Sequence, residues 1–80
     1  MKAIVNVFLK EGILDPQGKA TLHALAALGF SNVSDARAGK RFVLQMSSET
    51  IGEAEEEADK IAKEALVNAV IEDYSIDIEP

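Results

Sequence analysis

The chain has 80 residues, no cysteine, a single histidine and a formal net charge of −6. That length bounds it to one small domain, residues 1–80, whose folding hides only roughly 60% of the unfolded surface, and without disulfides or thiolate-held metal, oligomerisation is the remaining way to add buried area. The negative charge opposes a phosphate backbone and the basic residues are scattered singly apart from Lys40 and Arg41, so nucleic acid is not an expected partner.

The opening MKAIVNVFLKEG has an apolar stretch too short to span a bilayer and no small-residue cleavage site behind it. Neither a membrane anchor nor a secretory leader is expected, and a cytoplasmic location follows by default. Within it, KAIVNVFL sets Ala3, Val5, Val7 and Leu9 on one face, while Ile4 and Phe8 make the other face apolar around Asn6, so this strand reads as covered on both sides. LDPQG, residues 14 to 18, then turns the chain into a helix from about Pro16 to Leu28. Asp15 is a good N-cap, Pro16 a good first residue, and Gly29 a residue able to close the helix in the left-handed conformation. Leu22, Leu25 and Ala26 form its apolar stripe.

SNVSDARAGK predicts a short polar strand around 33–38, Gly39 a turn or bulge, and KRFVLQM a strand with Phe42, Leu44 and Met46 on one face and Val43 on the other; the two strands are expected to pair as a hairpin. A second helix starts near Thr50, with Glu53 completing a capping box, and carries the stripe Ile51, Ala54, Ala58, Ile61, Ala62, Ala65 and Leu66. Its other face is acidic, with Glu56 and Lys60, and Asp59 and Lys63, at the favourable i, i+4 spacing. Carboxylates flanked by lysines read as a solvated face rather than a metal site. The close, NAVIEDYSIDIEP, alternates Tyr74, Ile76 and Ile78 against Asp73, Ser75 and Asp77, the pattern of a half-exposed strand.

Strand, helix, strand, strand, helix, strand predicts an α+β, ferredoxin-like βαββαβ two-layer sandwich: an antiparallel four-stranded sheet, strands one and three central, with both helices on one face. Two helices cover one side only. Ile4, Phe8 and Val43 are then left on a bare face, and they are the candidates for a homodimer interface.

The usual catalytic constellations are missing. His23, on the flank of the first helix, has no nucleophile or acid set around it and reads as a packed or surface histidine. No GxxxxGK[ST] or GxGxxG is present, and Asp15 as N-cap occupies the amides that would otherwise bind an anion at the helix start. Small phosphatases of the same shape need an arginine in the loop after the first strand, whereas Arg37 and Arg41 lie elsewhere, which leaves a stand-alone hydrolase poorly supported. A ligand-sensing module of ACT type shares the element order and is the alternative to an assembly role.

Three islands, LKEGILDPQGKATLHALAALGF, VSDARAGK and VIEDY, resemble in order the PurS family, the small subunit of multi-subunit phosphoribosylformylglycinamidine synthase, and span nearly the whole chain. Ala69 and Ala36 stand where the family pattern commonly has proline and valine. The resemblance implies a subunit of an ATP- and glutamine-dependent ligase with no catalytic residues, metal or cofactor of its own. It also implies a homodimer or higher oligomer bridging two partners in purine synthesis: a glutaminase subunit (PurQ), and a synthetase subunit (PurL) that carries ATP and Mg²⁺. The motif positions Asp15, Gln17, Gly18, Arg37, Lys40, Glu72, Asp73 and Tyr74 become the candidates for partner contact. For Asp15, Pro16 and Gly39 turn chemistry is an equal explanation, whereas no local rule demands Gln17, Arg37, Lys40 or Glu72.

Overall fold

The sheet is organised around the strand whose sequence is apolar on both faces. In the computed structural model, which describes residues 1–80, β1 (Lys2–Leu9) lies between β2 (Gly39–Gln45) and β3 (Glu72–Glu79), antiparallel to both. The register places Val5 between Phe42 and Ile76, and Ala3 between Leu44 and Ile78. One face of the sheet therefore collects the alternating apolar residues of all three strands, as the period of two requires.

Helix α2 (Ile51–Ile61) covers that face. Its buried stripe is Ala54 and Ala58, continued by Ala62, and side chains this small let the helix backbone come close to β1 and β3. Thr50 caps it by accepting a hydrogen bond from the Glu53 amide at 3.2 Å, but the return half of the capping box does not form. Past Ile61 the helix widens into a π-helical turn, Ala62–Leu66, closed by the Val67 amide on the Ala62 carbonyl at 2.9 Å. Leu66 and Val67 come out of this turn packed on Val5, Val7 and Ala62, the centre of the core.

Helix α1 (Pro16–Ala27) starts and stops where the sequence indicates. Asp15 accepts from the Gly18 amide at 2.8 Å, and Gly29 closes the end with φ of 95°. Its tertiary placement differs from the expectation. α1 makes no substantial contact with the sheet, Gly18 is its one buried residue, and Leu28 and Phe30 beyond it are 73% and 56% exposed. The helix projects as an arm, so the molecule measures 48 × 26 × 14 Å, with a radius of gyration of 15.9 Å. A compact chain of this length has about 12 Å.

The sheet has three strands, which corrects the four-stranded ferredoxin-like expectation. The missing strand is the one expected around 33–38. Those residues pair with no strand because their hydrogen-bonding groups turn inward to the β1–α1 loop: the Ala38 amide bonds the Asp15 carboxylate and the Arg37 guanidinium bonds the Ile13 carbonyl. β2 consequently has one neighbour and is an edge rather than a centre, and its ladder runs from Gly39 without a bulge. On the face opposite α2, Phe8 and Val43 are 44% and 49% exposed, as a bare face demands, but Ile4 is only 6% exposed, flanked by Val43 and Asp77. No helix is long and apolar enough to cross a membrane.

Candidate functional site

Three chain segments meet at one end of the sheet: the loop from β1 into α1, the stretch entering β2, and the start of β3. β1 brings them together, since Phe8 lies opposite Gly39 on one side and Asp73 on the other, and Leu9 lies opposite Glu72. The three sequence islands, far apart in the chain, thus converge on a single surface.

Asp15 is the anchor. It is 5% exposed, and one carboxylate oxygen accepts from Gly18 at 2.8 Å while the other accepts from the Ala38 amide at 2.7 Å. The residue that caps α1 therefore also ties the arm's root to the strand entry 23 positions later, which no cap rule predicts. Arg37 reinforces the tie by donating to the Ile13 carbonyl at 3.0 Å and the Lys10 carbonyl at 3.3 Å, so the loop after β1 closes around its guanidinium. Gly18 is required by close approach. A Cβ there would stand 2.2 Å from the Ala36 carbonyl oxygen.

Beside this brace lies a cavity of about 190 Å³ whose lining includes Phe8, Asp15, Gln17, Gly39, Lys40 and Glu72. Lys40 and Glu72 close one wall as an ion pair at 3.6 Å, and Glu72 also accepts from the Asn68 amide at 2.8 Å. Gln17 is different. It is exposed, its carbonyl accepts from the Thr21 hydroxyl, and its side-chain amide has no partner within the chain. The arrangement contains no nucleophile beside a base, and nowhere do three or more carboxylate or imidazole groups gather as a metal-binding set.

Of the sequence candidates, Asp15, Gln17, Gly18, Arg37, Lys40 and Glu72 are assembled here, and Phe8, expected at a dimer face, joins them. Asp73 stands at the margin, paired with Lys10 at 3.5 Å. Tyr74 does not join them: its hydroxyl donates to the Asp59 carboxylate on the α2 side, and Lys63 holds the same carboxylate at 2.9 Å. Ile4 and Val43 also lie apart. Sequence reasoning placed Asp59 and Lys63 on a solvated face; their spacing was visible, but the arrival of Tyr74 depends on how β3 lies against α2.

The hydrogen bonds from Gly18 and Ala38, aided by Arg37, hold the Asp15 carboxyl below the ordinary aspartate range against the opposing effect of its burial. A depressed folded-state pKa contributes stability that is present above the unfolded value of about 3.9 and is lost as pH falls through the folded one. Asp59 is lowered in the same sense by Tyr74 and Lys63. Acid titration of stability is therefore expected to be flat down to about pH 4 and to fall steeply below it, with Asp15→Asn and Asp59→Asn each flattening the fall. Thermal melts between pH 7 and pH 2.5 measure this, and an unchanged acid slope in Asp15→Asn contradicts the brace.

The sequence profile of the PurS family, described as phosphoribosylformylglycinamidine (FGAM) synthase, matches residues 2–80. The phosphoribosylformylglycinamidine synthase subunit PurS of Mycobacterium leprae is 45% identical over 75 residues, covering 94% of this chain and 91% of that protein. Among solved structures, Methanocaldococcus jannaschii PurS, one of the subunits of formylglycinamide ribonucleotide amidotransferase in the purine biosynthetic pathway, superposes with a TM-score of 0.89 at 38% identity, covering 98% of this chain and 94% of that one. A chain from the structure of PurLQS from Thermotoga maritima superposes with a TM-score of 0.87 at 29% identity, covering 95% and 93%.

Proposed function

The chain belongs to the PurS family of FGAM synthase, and from that membership we propose that it acts in the purine pathway as the non-catalytic small subunit joining the glutaminase and synthetase subunits. The alternative of a ligand-sensing ACT-type module has no support from the family match. In this reading the chain works as a homodimer or larger, the glutaminase (PurQ) releases ammonia from glutamine, and the synthetase (PurL) spends ATP with Mg²⁺ to make the amidine. The chain supplies contact surface. ATP and metal belong to the synthetase, and the complex, not this subunit, is the ligase.

The observation that carries the reading is the convergence of the LDPQG, RAGK and VIEDY islands on one surface, with Gln17 presenting an amide that the chain itself leaves unused. Arg37, Lys40, Glu72 and Asp73 have internal partners and shape that surface, with Lys40, Glu72 and Asp73 still able to exchange partners at its rim. Gln17 is the docking residue on this account.

Gln17→Ala is expected to leave the melting temperature unchanged and to weaken assembly with the partner subunits about fivefold, the value of one interfacial hydrogen bond. Titrating the variant into purified glutaminase and synthetase while following glutamine-dependent turnover measures it. Wild-type assembly with Gln17→Ala removes Gln17 from the interface.

A further inference from the structure

We infer that the turn Asn68–Ile71 is a preformed docking knob, whose tip, Val70, seats in an uncharged apolar socket on a partner subunit and not on a second copy of this chain. The inference rests on the assembly role proposed above and deepens it, because it gives the chemistry of a second contact and of the surface that receives it.

Val70 is 81% exposed, the most exposed of the chain's large apolar side chains, and the turn around it is tightly bonded. Asn68 organises that turn. Its carbonyl accepts from the Ile71 amide at 3.1 Å and the Glu72 amide at 2.8 Å, and its side-chain oxygen accepts from the Val70 amide at 3.1 Å. The Asn68 amide donates to the Glu72 carboxylate at 2.8 Å, and the Lys10 amide donates to the Ile71 carbonyl at 2.9 Å, which fastens the turn to the end of β1. A segment held by its own bonds in this way has little freedom left to lose on binding.

Turn chemistry accounts for Asn68, whose side chain bonds the amide two residues on, but not for Val70. A β-branched apolar residue suits a strand, and at a solvated turn tip Gly, Ser or Asp would serve better. Residues 65–71, ALVNAVI, carry no charge in a chain of which 28% is charged. The charges that follow are already paired within the chain, Glu72 with Lys40 and Asp73 with Lys10. The tip therefore offers apolar contact without a charge to desolvate.

This chain has no cavity suited to receive it. Each of its five cavities is walled by at least three charged side chains, the one beside the knob by Lys10, Lys63, Glu72 and Asp73. Seating Val70 in any of these on a second copy would strip water from charges without replacing it. The occupant is thus a different protein. Position selects a partner subunit: Glu72, which closes the turn, also walls the cavity that holds Gln17, so Val70 and the unused Gln17 amide lie at the same end of the sheet and face a common partner.

Val70→Asp is expected to leave the melting temperature and the sedimentation mass of the chain alone unchanged, and to weaken its assembly with purified glutaminase and synthetase by more than about tenfold. Glutamine-dependent turnover, followed as each protein is titrated into the two partners, reads the affinity. Asn68→Ala is expected to weaken assembly several-fold by loosening the tip, and Asn68→Ser, whose hydroxyl can accept from the Val70 amide, to recover most of the loss. Wild-type assembly by Val70→Asp overturns the inference, as does wild-type assembly by Asn68→Ala. A fall in the chain's own oligomer mass on Val70→Asp also overturns it, since the knob then seats on a second copy. Assembly of the wild type together with an unimpaired Val70→Asp sinks this inference alone, whereas a wild type that does not assemble removes the bridging reading and the knob with it.

Discussion

Gly18→Ala is expected to lower the melting temperature by on the order of 5–10 °C, although the same change in an exposed helix gains about 1 kcal/mol from propensity. The reason is local and steric. The added methyl would stand 2.2 Å from the Ala36 carbonyl oxygen and 2.9 Å from an Asp15 carboxylate oxygen, and the first of these is backbone that yields only if the return segment moves off α1. Moving it breaks the Asp15 bond to the Ala38 amide and pulls Arg37 from the Ile13 carbonyl, so the loss is the overpacking cost together with the brace. Gly52 supplies the control. It lies in the first turn of α2 with nothing within 4 Å of its would-be Cβ, so Gly52→Ala is expected to stabilise. Calorimetry on the two variants measures both signs. A Gly18→Ala protein that melts at or above the wild type contradicts the brace, and amide exchange at Ala38 shows whether the Asp15 bond is the part released.

What the sequence made legible was local. Asp15 before Pro16 and Gly29 after Leu28 bracket α1 because capping acts within a turn or two, and Tyr74, Ile76 and Ile78 mark β3 because alternation needs only one strand. The candidate surface was legible through its islands, and the structure adds that β1 is what draws them together. The segment around 33–38 was misread for an instructive reason. Its polar alternation suits an edge strand, but Asp15 and Arg37 act across more than twenty residues and hold the backbone to a loop, and separations of that kind leave no period in the sequence. The same bonds turn α1 into an arm. A helix stripe specifies that an apolar face will be covered, and is silent on whether the cover comes from its own sheet or from another molecule. Ile4 shows the converse: a residue expected on a bare face is 6% exposed between its strand neighbours.

Omission of this chain carries the larger functional consequence. If the subunit joins the glutaminase to the synthetase, leaving it out returns their encounter to free diffusion and forfeits an effective-concentration advantage of about a hundredfold or more. On this account the chemistry of each partner stays intact, because no reacting group is assigned to this chain. The synthetase is then expected to keep its rate with added ammonia and lose the one with glutamine. The central claim is tested most directly by measuring glutamine-dependent turnover and particle mass in mixtures of the two partner subunits, with and without this chain at stoichiometric amounts. The account predicts one particle containing all three proteins, and a glutamine-dependent rate that falls about a hundredfold when this chain is withheld while the ammonia-dependent rate is unchanged. A glutaminase and synthetase that form a joint particle and reach the full glutamine-dependent rate without this chain would contradict it.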